Sequence, residues 1–198
     1  MMTTITRAAT LAAALLFAGS AAAETWTLDG DASRLAFGSI KKDTVGEVHG
    51  FEALEGKVAA DGTVTVTIVL ASVETWIDIR NERMIEHVFA KTPTATLTAQ
   101  VDMDELAGLE AGAGTLIDVE GTLSFLGRDV PVETEMYVVR LTDDTVLATT
   151  NDMLFVPAAS LGIDAGLDKL MELAKLPGIT RTSPVTMRLM FRLDDKEA

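Results

Sequence analysis

The 198-residue chain has no cysteine. That excludes disulfides, thiol catalysis and cysteine metal sites, so the fold must rest on its core alone. Histidine occurs only twice, at His49 and His87. Two isolated imidazoles do not make a metal site, and neither has a nucleophile to activate. Basic residues are scarce, 16 Lys and Arg against 30 Asp and Glu, which disfavours nucleic acid and anionic membrane surfaces as partners. Aromatics make up 5% of the residues while hydrophobics reach 48%, so the apolar content is mostly aliphatic. After residue 23 no serine sits in a nucleophile-elbow pattern. Gly112-Ala113-Gly114 lacks the strand, glycine loop and helix of a nucleotide site. No catalytic residue, metal ligand or catalytic cofactor is therefore expected.

Long hydrophobic runs are also missing, with one exception. The uncharged stretch 8–23 follows Arg7 and ends in Ala21-Ala22-Ala23. It is shorter than the roughly 20 residues that span a bilayer. A basic start, an apolar stretch and a small-residue site describe a secretory signal cleaved before Glu24; an uncleaved anchor is the alternative. Residues 24–198 then form one mature domain with no membrane-inserted segment. The removed stretch carries a single charge, Arg7, so the mature chain holds 15 basic and 30 acidic residues, a net charge of −15.

What is present is alternation. In 63–70, Val64, Val66, Ile68 and Leu70 share one face and threonines dominate the other, the period of a half-buried strand. Residues 94–101 repeat this with Ala95, Leu97, Ala99 and Val101. Residues 117–125 put Ile117, Val119, Gly121, Leu123 and Phe125 on one side. A turn at 126–129 leads into 130–139, giving a hairpin. Strands are also predicted over 26–30, 33–37, 51–59, 145–150 and 185–193, where Phe191 shares a face with Met187 and Leu189; 106–114 reads as a loop. One wet and one apolar face per strand means antiparallel sheet. A closed barrel is the economical form, and a two-sheet sandwich the alternative. An exposed edge at 26–37 or 185–193 would allow a homodimer.

Two segments break the alternation. Between Trp76 and Phe89 charges crowd together, and Met84, Ile85, Val88 and Phe89 form a helical stripe. Arg80 and Arg83 suit an anionic head group, but salt bridges with Asp78, Glu82 and Glu86 are the simpler use. Lys41-Lys42 reads as a solvated turn. Residues 164–176 give a second helix, with Asp164 as N-cap, Leu167, Leu170 and Met171 on its apolar face, and Pro177-Gly178 as its stop. Neither helix stands alone. Each should cover a barrel end, as plug or as gate.

Several ordered blocks carry a family resemblance: Trp26-Thr27-Leu28-Asp29, Ser72-Val73-Glu74-Thr75 with Arg80-Asn81-Glu82-Arg83-Met84, Thr92-Pro93-Thr94-Ala95-Thr96-Leu97, and Val119-Glu120-Gly121-Thr122-Leu123. Over 26–193 the chain resembles the YceI-like family of periplasmic lipocalin-like proteins. The resemblance implies a mainly β fold, an eight-stranded antiparallel barrel with two short helices near its ends. It also implies a bound polyisoprenoid or other long-chain lipid, a periplasmic location, and no enzyme activity. Thr92 and Leu161 depart from the family pattern. The expected lining is Val66, Ile68, Leu97, Leu123, Phe125, Leu167, Leu170, Met171 and Phe191, with Arg80 and Arg83 as head-group candidates and space left by Ala95, Ala99 and Gly121. From periodicity alone a dry, packed core remains open, in a barrel that would work through protein partners, as does an enzyme acting on a lipid through Arg80, Glu86 and His87.

Overall fold

The computed structural model describes residues 24–194. The expected signal segment 1–23 lies outside the described residues. The strands are β1 (Trp26–Leu28), β2 (Arg34–Lys41), β3 (Val45–Phe51), β4 (Leu54–Val58), β5 (Thr63–Val69), β6 (Val73–Glu74), β7 (Thr94–Gln100), β8 (Gly114–Phe125), β9 (Arg128–Thr142), β10 (Thr145–Thr150), β11 (Leu154–Pro157) and β12 (Thr182–Leu193). Helices are α1 (Asp78–Arg83), α2 (Met103–Ala107), α3 (Ala158–Leu161) and α4 (Asp164–Ala174).

Four strand pairs are halves of bent strands: β1 with β2, β3 with β4, β5 with β6, and β10 with β11. With β7, β8, β9 and β12 that makes eight. Each pairs antiparallel with its neighbour in sequence, and β12 returns to β1 and β2. Closure removes the open edges a sandwich would leave. It also removes the dimer edges expected from sequence. β1 is paired on both sides, by β4 and β12, and β12 by β10 and β11 on one side and β1 and β2 on the other.

The alternation places the barrel interior as expected. Val66 pairs with Leu97, Leu97 with Leu123, and Leu123 with Val130, one inward row across four strands. Val64, Ala99, Gly121 and Val132 form the next. The β8–β9 turn is only Leu126-Gly127, both at positive φ, the geometry that matches strand twist. Both strands are accordingly longer than the sequence pattern shows.

Other corrections concern the irregular parts. The predicted loop 106–114 begins inside α2, which Asp102 caps by accepting from the Asp104 and Glu105 amides. Asp164 is not the N-cap of α4. Ile163 is, without a side-chain bond, and Asp164 is the first helical residue. Arg181 fixes that end instead, donating to the Asp164 carbonyl and pairing with Asp168. After α1 the chain widens into a π-helical turn, Met84–Val88, where the Phe89 amide donates to the Met84 carbonyl. The wider turn buries Met84, Val88 and Phe89 against the core together.

Candidate functional site

The interior holds two cavities, one toward each end of the barrel. The first, about 390 Å³, lies under α2. Val66, Leu97, Ala99, Met136, Leu189 and Phe191 form much of its wall, and Glu24, Thr134 and Arg140 are its main polar residues. The second, about 420 Å³, lies under α1, the π turn and α4. Ile68, Ala95, Leu123 and Phe125 meet it from the barrel, and Leu167 and Leu170 from α4. Both volumes fall in the usual range of small-molecule sites. The waist between them follows from the register. Leu97 faces the first cavity and its partner Leu123 the second; Met187 faces the first and its partner Leu35 the second.

The second cavity grades from hydrocarbon to charge along the β2–β3 hairpin. The inward face of β2 reads Leu35, Phe37, Ser39, Lys41, and that of β3 reads Phe51, His49, Glu47. Aromatic rings step along this wall: Phe125 to Phe89 at 6.1 Å, Phe89 to Phe51 at 5.8 Å, Phe51 to Phe37 at 5.5 Å, Phe37 to His49 at 5.2 Å. Beyond the rings stands a charged cluster. Glu47 accepts from Lys41 Nζ and from Arg80 Nη1, each at 2.7 Å. Burial alone would raise the Glu47 carboxyl, but the bonds from Arg80 and Lys41 outweigh it and hold it below the usual carboxylate range. His49, 4% exposed, lies within bonding distance of Ser39 Oγ through Nε2, at 3.0 Å. Burial, reinforced by the Arg80 charge, pushes its imidazole down to about 4, so it is neutral at neutral pH.

The block 72–84 is a knot that seats α1 over this end. Asn81 Oδ1 accepts from the Thr75 amide and hydroxyl, and Asn81 Nδ2 donates to Glu74. Thr75 is buried to 1%. The knot leaves Trp76 exposed at positive φ.

Eight of the nine residues expected to line a cavity do so: Val66, Leu97 and Phe191 in the first, and Ile68, Leu123, Phe125, Leu167 and Leu170 in the second. Met171 does not. Its sulfur accepts from Arg181 Nη2 at 3.5 Å, on the side of α4 held to the start of β12. Arg80 and Arg83 both reach the second cavity, but Arg80 pairs with Glu47 rather than with the acids of its own segment. Lys41, expected in a solvated turn, ends a strand and points inward; only Lys42 is in the turn. Glu86 and His87 pair at 3.8 Å outside both linings. Phe37, His49, Phe51 and Phe89 were not expected at the site.

A closed eight-stranded meander around apolar cavities is the lipocalin plan. The YceI-like domain family matches residues 26–167. The chain belongs to the YceI-like family. A solved polyisoprenoid binding domain from Saccharophagus degradans, implicated in plant cell wall breakdown, is 36% identical over 85% of this chain and 98% of its own, with a TM-score of 0.83. The crystal structure of Burkholderia cenocepacia BcnA shares the fold at 18% identity and a TM-score of 0.63, over 82% of this chain and 98% of its own. No curated protein matches the chain. Among the described residues no helix is long and apolar enough to cross a membrane, and no group of three or more His, Asp or Glu is placed to hold a metal ion. In this YceI-like chain both cavities are lined mainly by hydrocarbon, and the second ends in the charged cluster of Lys41, Glu47 and Arg80.

Proposed function

We propose that this YceI-like protein binds a long-chain apolar amphiphile, a polyisoprenoid or fatty-acid-like lipid, and carries or stores it in the periplasm after its signal is removed. The observation that carries the reading is the pair of hydrocarbon-lined cavities inside one closed barrel. Each methylene moved from water to such a lining contributes about 0.8 kcal/mol, so affinity needs few polar contacts. The polyisoprenoid binding domain that this chain resembles at 36% identity supports the ligand class. An acidic exterior around a greasy interior suits a carrier that stays dispersed and off anionic membranes. The chemistry asked of such a site is binding without turnover.

The test is to express the full chain, recover the protein gently, and compare native mass spectrometry with solvent extraction and lipid analysis. The expected result is a bound or readily acquired prenyl or acyl chain. Protein that stays empty and takes up neither would refute the reading. Cell fractionation with N-terminal sequencing checks the location, which predicts a mature start at Glu24.

A further inference from the structure

The charged residues that line the first cavity, Glu24 and Arg140, balance one another; those of the second do not. Lys41, Arg80 and Arg83 face one acid, Glu47, leaving two positive charges inside a protein whose mature net charge is −15. Glu47 is bonded to Lys41 and Arg80, while Arg83 makes no ion pair among the described residues. Two buried nitrogens at this end have no partner, Arg80 Nε and His49 Nδ1. A buried polar atom without a bond costs about 1–3 kcal/mol and calls for an explanation. Guanidinium can only donate, so Arg80 Nε requires an acceptor. When Ser39 donates to His49 Nε2, the neutral imidazole carries its proton on Nδ1 and also needs an acceptor.

We infer that Arg80, Arg83, Lys41 and His49 form a receptor for an anionic oxygen head group, a carboxylate or phosphate monoester, on the amphiphile whose tail lies along the phenylalanine ladder. The inference rests on the carriage reading and names its head-group class. The cations supply the charge complement, and the aromatic steps from Phe37 to Phe125 lead the tail to the waist. Glu47 holds Arg80 and Lys41 in place and brings the charge of the cluster down to two positive charges.

The test compares oleate, oleyl phosphate, oleyl alcohol and oleylamine, below micelle concentrations in mildly alkaline buffer, by isothermal titration on delipidated full-length protein. At least one of the two anions should bind about tenfold or more tighter than the alcohol, as charge-assisted bonds warrant, and the amine weakest. Which anion wins separates a fatty acid from a phospholipid-like source. In Arg83→Met, which breaks no protein bond, and in His49→Phe, which keeps the ring ladder, that preference should fall at least about threefold with alcohol binding retained. Equal binding of anion and alcohol, tighter binding of the amine, or a preference unchanged in both variants overturns the receptor and leaves carriage standing. If no oleyl compound binds, the receptor is overturned, while carriage is decided separately by whether the protein takes up a prenyl chain.

Discussion

Replacing Gly166 by alanine sets two general effects against each other. In a helix interior the change ordinarily stabilises by about 1 kcal/mol. Gly166 is buried where α4 crosses the π turn, and a Cβ there would lie 2.5 Å from the His87 carbonyl oxygen and 2.7 Å from Val88 Cα. Both are backbone atoms, so no side-chain rotation relieves the contact. Overpacking of this kind costs about 1–3 kcal/mol, occasionally more, and here the upper part of that range applies. The net expectation for Gly166→Ala is a loss of about 1–2 kcal/mol, with α4 displaced outward. Because α4 carries Leu167 and Leu170 over the second cavity, ligand release should also accelerate. Urea unfolding followed by tryptophan fluorescence measures the first effect, and stopped-flow displacement of a bound lipid the second. Gly108→Ala is the control: its Cβ would approach nothing closer than the Glu105 carbonyl oxygen at 3.9 Å, so stability should stay within about 0.5 kcal/mol. A Gly166→Ala protein as stable as the parent, or more so, would refute the close packing of helix on π turn.

His49 gives a pH expectation. Its folded value of about 4 lies below the ordinary 6.5, so its contribution is complete above that ordinary value and lost as pH falls through about 4. The full loss is about 3 kcal/mol. Unfolding at pH 7 and in mild acid should show the parent losing more stability than His49→Phe; parallel curves would contradict the burial of a neutral imidazole. Leu70, 1% exposed, ends the inward run of β5, and Leu70→Ala should cost about 2–5 kcal/mol in chemical denaturation. Ala95→Phe should obstruct the second cavity and Ala99→Phe the first. Each displaces about four methylenes of ligand, weakening long-chain binding by about 3 kcal/mol. Titration with prenyl chains of graded length checks this, and undiminished binding in both variants would place the ligand elsewhere.

The legible parts of the fold were those where burial and alternation agree. In β5, β7, β8 and β12 the apolar side chains point inward at period two, so strand, face and cavity wall could be read from the same residues. The β2–β3 hairpin defeated that reading because its inward face is partly polar. Ser39, Lys41, Glu47 and His49 alternate correctly, yet the usual rule sends such residues to solvent. Its turn uses Lys42 and Asp43 at positive φ, not the Asn-Gly signature of a tight hairpin. Glycines at 38, 46 and 50 dilute the signal further. Phe37 and His49 belong together only once their register is known. Arg80 illustrates a second limit. Its local acids are the obvious partners, but strand pairing brings Glu47 from 33 residues away. Met171 illustrates a third, since a helical stripe shows what is apolar, while only packing against Arg181 decides which part of it meets the cavity.

The waist is where the two cavities meet. Leu97, Leu123, Leu35 and Met187 lie where the two linings meet, and among the described residues no strand crosses the barrel interior there. Rotamer changes in exposed or half-packed side chains are fast, Leu97 and Leu123 are only partly buried, and Met187 is the most adaptable of the four. Against about 0.8 kcal/mol gained per methylene buried, an off-rotamer cost of about 0.5–1.5 kcal/mol is recovered within two methylenes. A tail long enough to reach the waist therefore gains by passing it. A head group held at the β2–β3 end would then fix where the tail begins, and the first cavity would set how long a chain the barrel can shelter.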